Sequence, residues 1–535
     1  MKKYIKFLMA GGFLMLSIGC KKNLDLVNKN GYTYDTYFTT DAAINQAVVA
    51  TYAGLLHTGL WAREWYYTFD LLGYDGKNNQ PLVGDLLQLA QYNFGADQNQ
   101  VGQTWAALYQ IIARANVVID RAQTSWKPAN ATETGHQTQY IAEVKFLRAY
   151  AYFQLANLYG RVPLRTKFIQ QPTAAEINLG RSPVADIWAF IEQDLKDAEA
   201  GLPVSYKSAD DYGRITQGAA VALLGKSYLY EKKWTQAQTE LMKLTQAPFS
   251  YSLAPVYNDL FDDPNQDDPA KNPETIFQVM NQQWTDWGVG NQYYLFGGQE
   301  TWGGKATHSG RAQEYGFNDW NNVLVTTTAV KAFTYPNPQN PSVNYVDPRA
   351  AFTFYGDAAS GGQTKYCQQC TPGGAVDYPF ATKGYVWLKY EYYNKQSSFG
   401  GPQSGINGQV IRYADVLLML AEAYIQQGNT GSQPMALINQ VRSRPSVNAT
   451  LYTSLGSQTE AMNILMRERQ LELTGEQSRY FDLIRWGIAK QTINAERQIE
   501  SGTQPFQDKN ILFPIPLAEK NANSAVAKDI SGDWN

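Results

Sequence analysis

The sequence predicts a mainly α protein: a tetratricopeptide-like helical scaffold carrying a large, irregular, loop-rich insertion. Three observations lead there. Residues 41–245 repeat the hydrophobic periodicity of helices. Residues 218–249 and, less completely, 420–436 carry the spacing of a tetratricopeptide unit. Between about 250 and 408 the periodicity is lost, and Gly, Pro, Asn, Gln and aromatic residues dominate.

The chain opens on Lys2, Lys3 and Lys6, an apolar stretch from Phe7 to Leu16, and then Ser17-Ile18-Gly19-Cys20. This is the grammar of a secretory signal. Too few residues separate Lys6 from Cys20 to cross ~30 Å at ~1.5 Å per residue. The segment resembles a bacterial lipoprotein signal, with residues 1–19 removed and Cys20 acylated; Ser17 stands where an aliphatic residue is usual. Several acyl chains would anchor the protein stably, whereas one alone binds marginally.

In the first helical block, EVKFLRAYAYFQLANLY (143–159) carries one apolar stripe of Leu147, Ala151, Leu155 and Leu158 and a second of Phe146, Tyr150 and Phe153. Apolar residues on two faces predict a helix packed between neighbours. Further on, Leu224-Gly225, Tyr228, Ala237, Leu241 and Pro248 follow the helix–turn–helix repeat, with Val221 in place of its tryptophan. The small residue lets paired helices approach, and the tyrosine fills the gap between them. Leu420-Ala421, Tyr424 and Ala436 repeat the pattern, and Ala149 with Tyr152 is a weaker copy. Such units stabilise by stacking, which predicts one shared scaffold.

The insertion includes WTDWGVGNQYYLFGGQETWGG (284–304), all turn formers and rings without a period. A long irregular segment dense in large aromatics points to function. Within it, Cys367 and Cys370 stand as Cys-Gln-Gln-Cys in a Gly/Pro-rich loop; an exported chain makes them a short-loop disulfide or free thiols. Residues 411–487 return to strong helix, and FPIP (513–516) begins an extended tail.

Composition narrows the partners. Of 535 residues, 17% are charged against roughly 25% in an average soluble domain, and the net charge is −3. That balance lacks the basic footprint nucleic-acid binding needs. With 13 Trp, 36 Tyr and 22 Phe, the surface suits neutral polar ligands better than ionic ones.

Catalytic and metal signatures are weak. No G-x-S-x-G or H-E-x-x-H occurs, and His57, His136 and His308 are scattered. Gly225-Lys226-Ser227 imitates the end of a phosphate loop, but it lies inside the repeat helix and Ala220 takes the upstream glycine position. Glu468, Glu472 and Glu476 share one helix face. Paired carboxylates could serve a glycosidase, but Arg467, Arg469, Arg479 and Arg485 beside them predict structural ion pairs. The acidic stretch from Asp262 to Asp268 lacks the spacing of a calcium loop and reads as a solvated loop, which leaves calcium there open. No catalytic residue, cofactor or metal is expected.

The motifs then converge. WAALYQIIARANVVID (105–120) follows W-x-x-L-Y-x-x-I-x-x-A-N. AEVKFLRAYAYFQLANLYGRVPL, GRITQGAAVALLGKSYLYEKKW, IRYADVLLMLAEAY, INQVRSR, RERQLELTGEQSRYFDLIRWG and FPIP come after it in order. By these the chain resembles the SusD/RagB outer-membrane lipoproteins of Bacteroidetes over nearly its whole length, although its ending, DISGDWN, departs from theirs. The resemblance implies a single SusD-like domain over 20–535. Its helical parts are 20–249 and 409–535, and its ligand-binding insertion is 250–408. It further implies a non-enzymatic, lipid-anchored protein on the outer face of the outer membrane. Such a protein captures a glycan and acts as the lid of a SusC-like TonB-dependent transporter, with peptide or glycoprotein capture as the alternative.

The implied binding regions hold Asp75, Lys77 and Asn78, and later Trp284, Trp287, Tyr293, Tyr294, Trp302 and Trp320. Sugar C–H faces stack on rings, and hydroxyls bond to amides and carboxylates. A glycoside hydrolase using Glu468 and Glu472 and a pure protein-interaction scaffold remain as rival readings.

Overall fold

The computed structural model describes residues 33–79, 84–208, 211–262, 267, 271–281, 311–316, 321–367, 374–390, 406–497 and 504–529. Its helices begin where short polar side chains can cap them. Thr40 accepts from the Ala43 N–H to start α1 (Asp41–Tyr52), and Asn130 accepts from the Glu133 N–H to start α4 (Ala131–Tyr159). Between them lie α2 (Glu64–Leu72), the short strand β1 (Gly76–Asn78) and α3 (Asn99–Thr124). Next come α5 (Val184–Gly201), α6 (Gln217–Tyr230) and α7 (Trp234–Lys243).

Helix α4 is enclosed on both faces, as its two stripes predict: Tyr150, Ala151, Tyr152 and Phe153 are at most 3% exposed. The repeat unit forms as α6 against α7. A Cβ built on Gly225 would stand 2.6 Å from Leu241 Cδ2, closer than carbon atoms pack, so only glycine admits this approach. Tyr228 fills the gap at 8% exposure, with the Lys196 and Lys233 ammoniums 5.8 and 5.9 Å from its ring centre.

The second unit is α8 (Tyr413–Gln426) with α9 (Ser432–Arg442), and it stacks on the first. Across that junction Thr235 Oγ1 donates to Gln427 Oε1 at 3.0 Å, and Gln427 Nε2 donates to Gln238 Oε1 at 2.7 Å. The separated units therefore share one scaffold. Helices α10 (Gln458–Leu473), α11 (Arg479–Arg485) and α12 (Ala489–Arg497) complete it.

The described part of the insertion is built from strands too short to show a period of two in the sequence. Among the described residues, all five ladders are two-stranded and antiparallel. Strand β2 (Thr275–Val279) pairs with β10 (Gly408–Arg412), which ties the two ends of the insertion together. Phe277 of β2 meets Phe146 edge-on at 5.1 Å, so this ladder rests on α4. Strand β3 (Val323–Val325) leaves the insertion to pair with β1. The rest pair locally: β4 (Thr334–Pro336) with β5 (Asn344–Val346), β6 (Phe354–Tyr355) with β9 (Val386–Trp387), and β7 (Lys365–Cys367) with β8 (Ala375–Asp377).

Candidate ligand-binding face

The β1/β3 ladder joins the two regions that the sequence nominates. Gly76 permits the pairing, because a Cβ there would lie 2.7 Å from Val323 Cγ1. Beyond the ladder, the Asn79 N–H donates to the Asn322 carbonyl at 2.9 Å, and Asn79 Nδ2 donates to the Asn321 carbonyl at 2.9 Å. Asn321 holds φ +51°, a left-handed conformation that asparagine tolerates.

Two amide atoms at this end are enclosed without a partner among the described residues: Asn78 Nδ2, a donor, and Asn321 Oδ1, an acceptor. An enclosed polar atom left unbonded costs about 1–3 kcal/mol. A sugar hydroxyl donates and accepts, so it can satisfy either one.

A rigid floor lies beneath. Asn322 Nδ2 donates to the Tyr67 hydroxyl at 3.1 Å, and the Asn322 N–H donates to the Glu314 carbonyl at 2.8 Å. The Glu314 carboxylate takes Arg63 Nε at 2.8 Å. Burial raises the Glu314 pKa, and Arg63 opposes that rise. Arg311 bonds Asp70 at 2.8 Å and lies over the rings of Tyr66, Tyr315 and Tyr390.

Asp75 is placed differently from an open contact residue. It is 3% exposed, and its carboxylate meets Arg479 Nη1 at 3.5 Å. Burial pushes its pKa up to about 7; Arg479 opposes this, while Asp70 and Glu496 add to it. Its carbonyl accepts from the Thr326 N–H at 2.9 Å, which extends the ladder. One edge of it borders a cavity of about 410 Å3 shared with Arg479 and Glu496. Lys77 and Asn78 are half-buried on β1.

Trp284, Trp287, Tyr293, Tyr294, Trp302 and Trp320 lie outside the described residues, as do Cys20, Cys370, Asp263 and Asp268. Trp320 directly precedes Asn321 in the chain. Cys367 contributes backbone to β7 opposite Ala375. Asn79, Asn321 and Asn322 join this face without being among the residues that the sequence nominates. Their signal was two asparagine doublets, Asn78-Asn79 and Asn321-Asn322, one in each nominated region.

The glutamate ladder is a buried ion-pair network, but its partners correct the sequence reading. Glu468 takes Arg349 and Arg442, Glu472 takes Arg349, Arg412 and Arg444, and Glu476 takes Lys389 and Arg412. The neighbouring arginines are committed elsewhere. Arg469 bonds Asp415 and Asp482, Arg485 bonds Glu422, Arg479 bonds Glu496, and Arg467 lies over the Tyr335 ring. Arg467 and Arg469 lie about 100° around α10 from Glu468, Arg479 and Arg485 belong to α11, and distant segments supply the counter-charges.

Lys226 is spent on Asp415 at 3.1 Å inside α6, which leaves no phosphate loop there. Asp267 accepts from Gln278 and Asn407. Among the described residues, no helix is long and apolar enough to cross a membrane.

Known proteins complete the picture. A model of the SusD family matches residues 273–531, and one described as starch-binding, associating with the outer membrane, matches residues 25–229. A SusD-like protein of Formosa agariphila is 25% identical over 535 residues, covering 96% of this chain and 95% of its own. A SusD superfamily protein of Bacteroides vulgatus superposes with a TM-score of 0.70 at 26% identity, covering 92% of this chain and 99% of that one. A laminarin-binding SusD-like protein superposes with a TM-score of 0.68 at 23% identity, covering 91% and 98%.

Proposed function

Because the chain belongs to the SusD family, we propose that it captures a neutral oligosaccharide or polysaccharide at the cell surface. The β1/β3 ladder carries this reading. It brings Asn78 and Asn79 beside Asn321 and Asn322 and leaves an enclosed amide donor and acceptor without a partner among the described residues. Trp320 directly precedes Asn321 in the chain, and in this reading it and the rings of 284–302 supply stacking surfaces for the sugar. The laminarin-binding relative supports a glycan of this general class.

Delivery goes to a SusC-like TonB-dependent transporter, over which the protein closes as a lid. Acyl chains on Cys20 hold it to the outer membrane, facing outward. Residues 20–535 act as one domain. Catalysis forms no part of this role: Glu468 and Glu472 are fully enclosed and salt-bridged.

Native gels cast with laminarin, amylopectin, xyloglucan or mannan test the reading. Retardation by at least one of them is expected. Retardation by none, with binding that instead tracks peptide length, would replace glycan capture with peptide capture.

A further inference from the structure

A cavity of about 510 Å3 opens beside the start of α6, walled by residues 204–206 and 211–214, the 248–251 segment after α7, and β2. None of its lining residues belongs to the β1/β3 face. Its volume lies within the range of small-molecule sites, about 300–1,000 Å3.

Rings form one wall. Phe249 and Tyr251 stack at 6.1 Å with 15° between their planes, both half-buried, and Tyr212 stands at the rim, 50% exposed. The platform is held in place. Tyr251 stacks on Tyr413 at 6.3 Å, and a Cβ on Gly218 would lie 2.2 Å from the Tyr251 hydroxyl. Helix α6 thus carries a glycine in its first turn, at a cost of roughly 0.5–1 kcal/mol relative to alanine, where the ring needs the space.

Charge disfavours an anionic ligand, because the one cation of the wall is committed to two carboxylates. The wall has three charged side chains: Asp211 and Arg214 form an ion pair, and Asp267 is held by two amides. Arg214 bonds Glu143 at 3.0 Å and Asp211 at 3.0 Å, and Asp267 accepts from Asn407 at 2.8 Å and Gln278 at 3.1 Å. The other polar side chains include the hydroxyls of Ser205, Thr216, Ser250 and Tyr251 and the amides of Asn272 and Gln278. Among the described residues the Tyr251 hydroxyl reaches only Thr216, at 3.5 Å, long for a bond between hydroxyls.

Near-parallel rings, hydroxyls and amides, with the one unpaired carboxylate already holding two amides, fit a neutral polyhydroxylated ligand. We propose that this cavity is a second saccharide-binding subsite, taking one or two neutral sugar units of the same polymer that engages the β1/β3 face. The inference rests on the glycan-capture reading. Two sites on one chain raise the effective local concentration of a long polymer, so the second adds avidity.

The test uses the purified full chain in detergent, on native gels containing laminarin, amylopectin, xyloglucan or mannan. Phe249→Ala combined with Tyr212→Ala removes stacking surface. Separately, Ser205→Trp fills the cavity from an exposed position. Both are read once melting temperatures match the parent chain. Expected is retardation about 3- to 10-fold weaker in the polymer that retards the parent chain. If the parent is retarded and both variants match it, the subsite is overturned and glycan capture stands. If no polymer retards the parent chain, both are overturned.

Discussion

Arg412 Nη1 donates to Glu472 Oε1 at 2.7 Å, with the two side chains 1% and 0% exposed. The pair sits at the centre of a balanced cluster. Glu274, Asp347, Glu468, Glu472 and Glu476 face Arg349, Arg412, Arg442, Arg444 and Lys389, five acids against five bases. Glu274, Asp347, Arg349 and Lys389 come from the insertion and the others from the C-terminal helical part, so the cluster fastens one to the other. Burial alone would raise the Glu472 pKa, but Arg412, Arg444 and Arg349 together outweigh it and hold the carboxylate below its ordinary range. A carboxyl kept ionised and enclosed cannot act as a general acid.

Glu472→Gln therefore takes one carboxylate from each of three guanidiniums and leaves the buried cluster one negative charge short. Removing one partner of a buried pair costs about 3–5 kcal/mol. Urea denaturation should show a loss of that size, and a loss under 1 kcal/mol would mean the cluster contributes little. Release of reducing ends from any glycan by the parent chain, abolished by this substitution, would revive a hydrolase role.

Gly225→Ala should also destabilise. The added methyl meets Leu241 at 2.6 Å across the α6/α7 junction, and overpacking costs typically 1–3 kcal/mol. The gain in helix propensity, about 1 kcal/mol, offsets part of it. A net loss near 1 kcal/mol is expected in thermal or urea unfolding, and Leu241→Ala in the same chain should remove the clash term. A stabilised Gly225→Ala would contradict the close approach.

Asp75 predicts a pH dependence. Its folded pKa is pushed up to about 7, chiefly by burial, against about 3.9 in an unfolded chain. Between those values the folded state keeps a proton that the unfolded state has lost. Asp75 thus contributes stability that is full below pH 4 and disappears as the pH rises through 7. Urea midpoints of the parent and Asp75→Asn, compared from pH 4 to 8, should show the parent losing ground as pH rises. A difference that is flat with pH would contradict the burial argument.

Lipidation of Cys20 is checked by intact-mass spectrometry of the protein from the membrane fraction. The expected mass is that of residues 20–535 plus acyl chains, and Cys20→Ser should move the protein out of that fraction. An unacylated mature chain would remove the anchor.

The legible part of the fold was the part with a local code. Gly225, Tyr228 and Leu241 lie within one helical hairpin, and their spacing announced both the helices and their contact. The two stripes of 143–159 likewise announced burial on both faces. What the sequence concealed is non-local. Arg412 and Arg349 meet Glu472 from 60 and 123 residues away, so the adjacent arginines were credited with partners they do not have. The candidate face was concealed for the same reason. Strands of three residues cannot display alternation, and nothing near Asn78 signals that Val323 lies opposite.

Calorimetric titration with oligosaccharides cut from whichever polymer retards the protein tests glycan capture at the β1/β3 face most directly. The account predicts saturable binding by the parent chain and at least about 10-fold weaker binding by Asn78→Ala and by Trp320→Ala, each near 1.4 kcal/mol, with unfolding unchanged. Binding that both variants retain in full, or no binding of any neutral glycan, would contradict it.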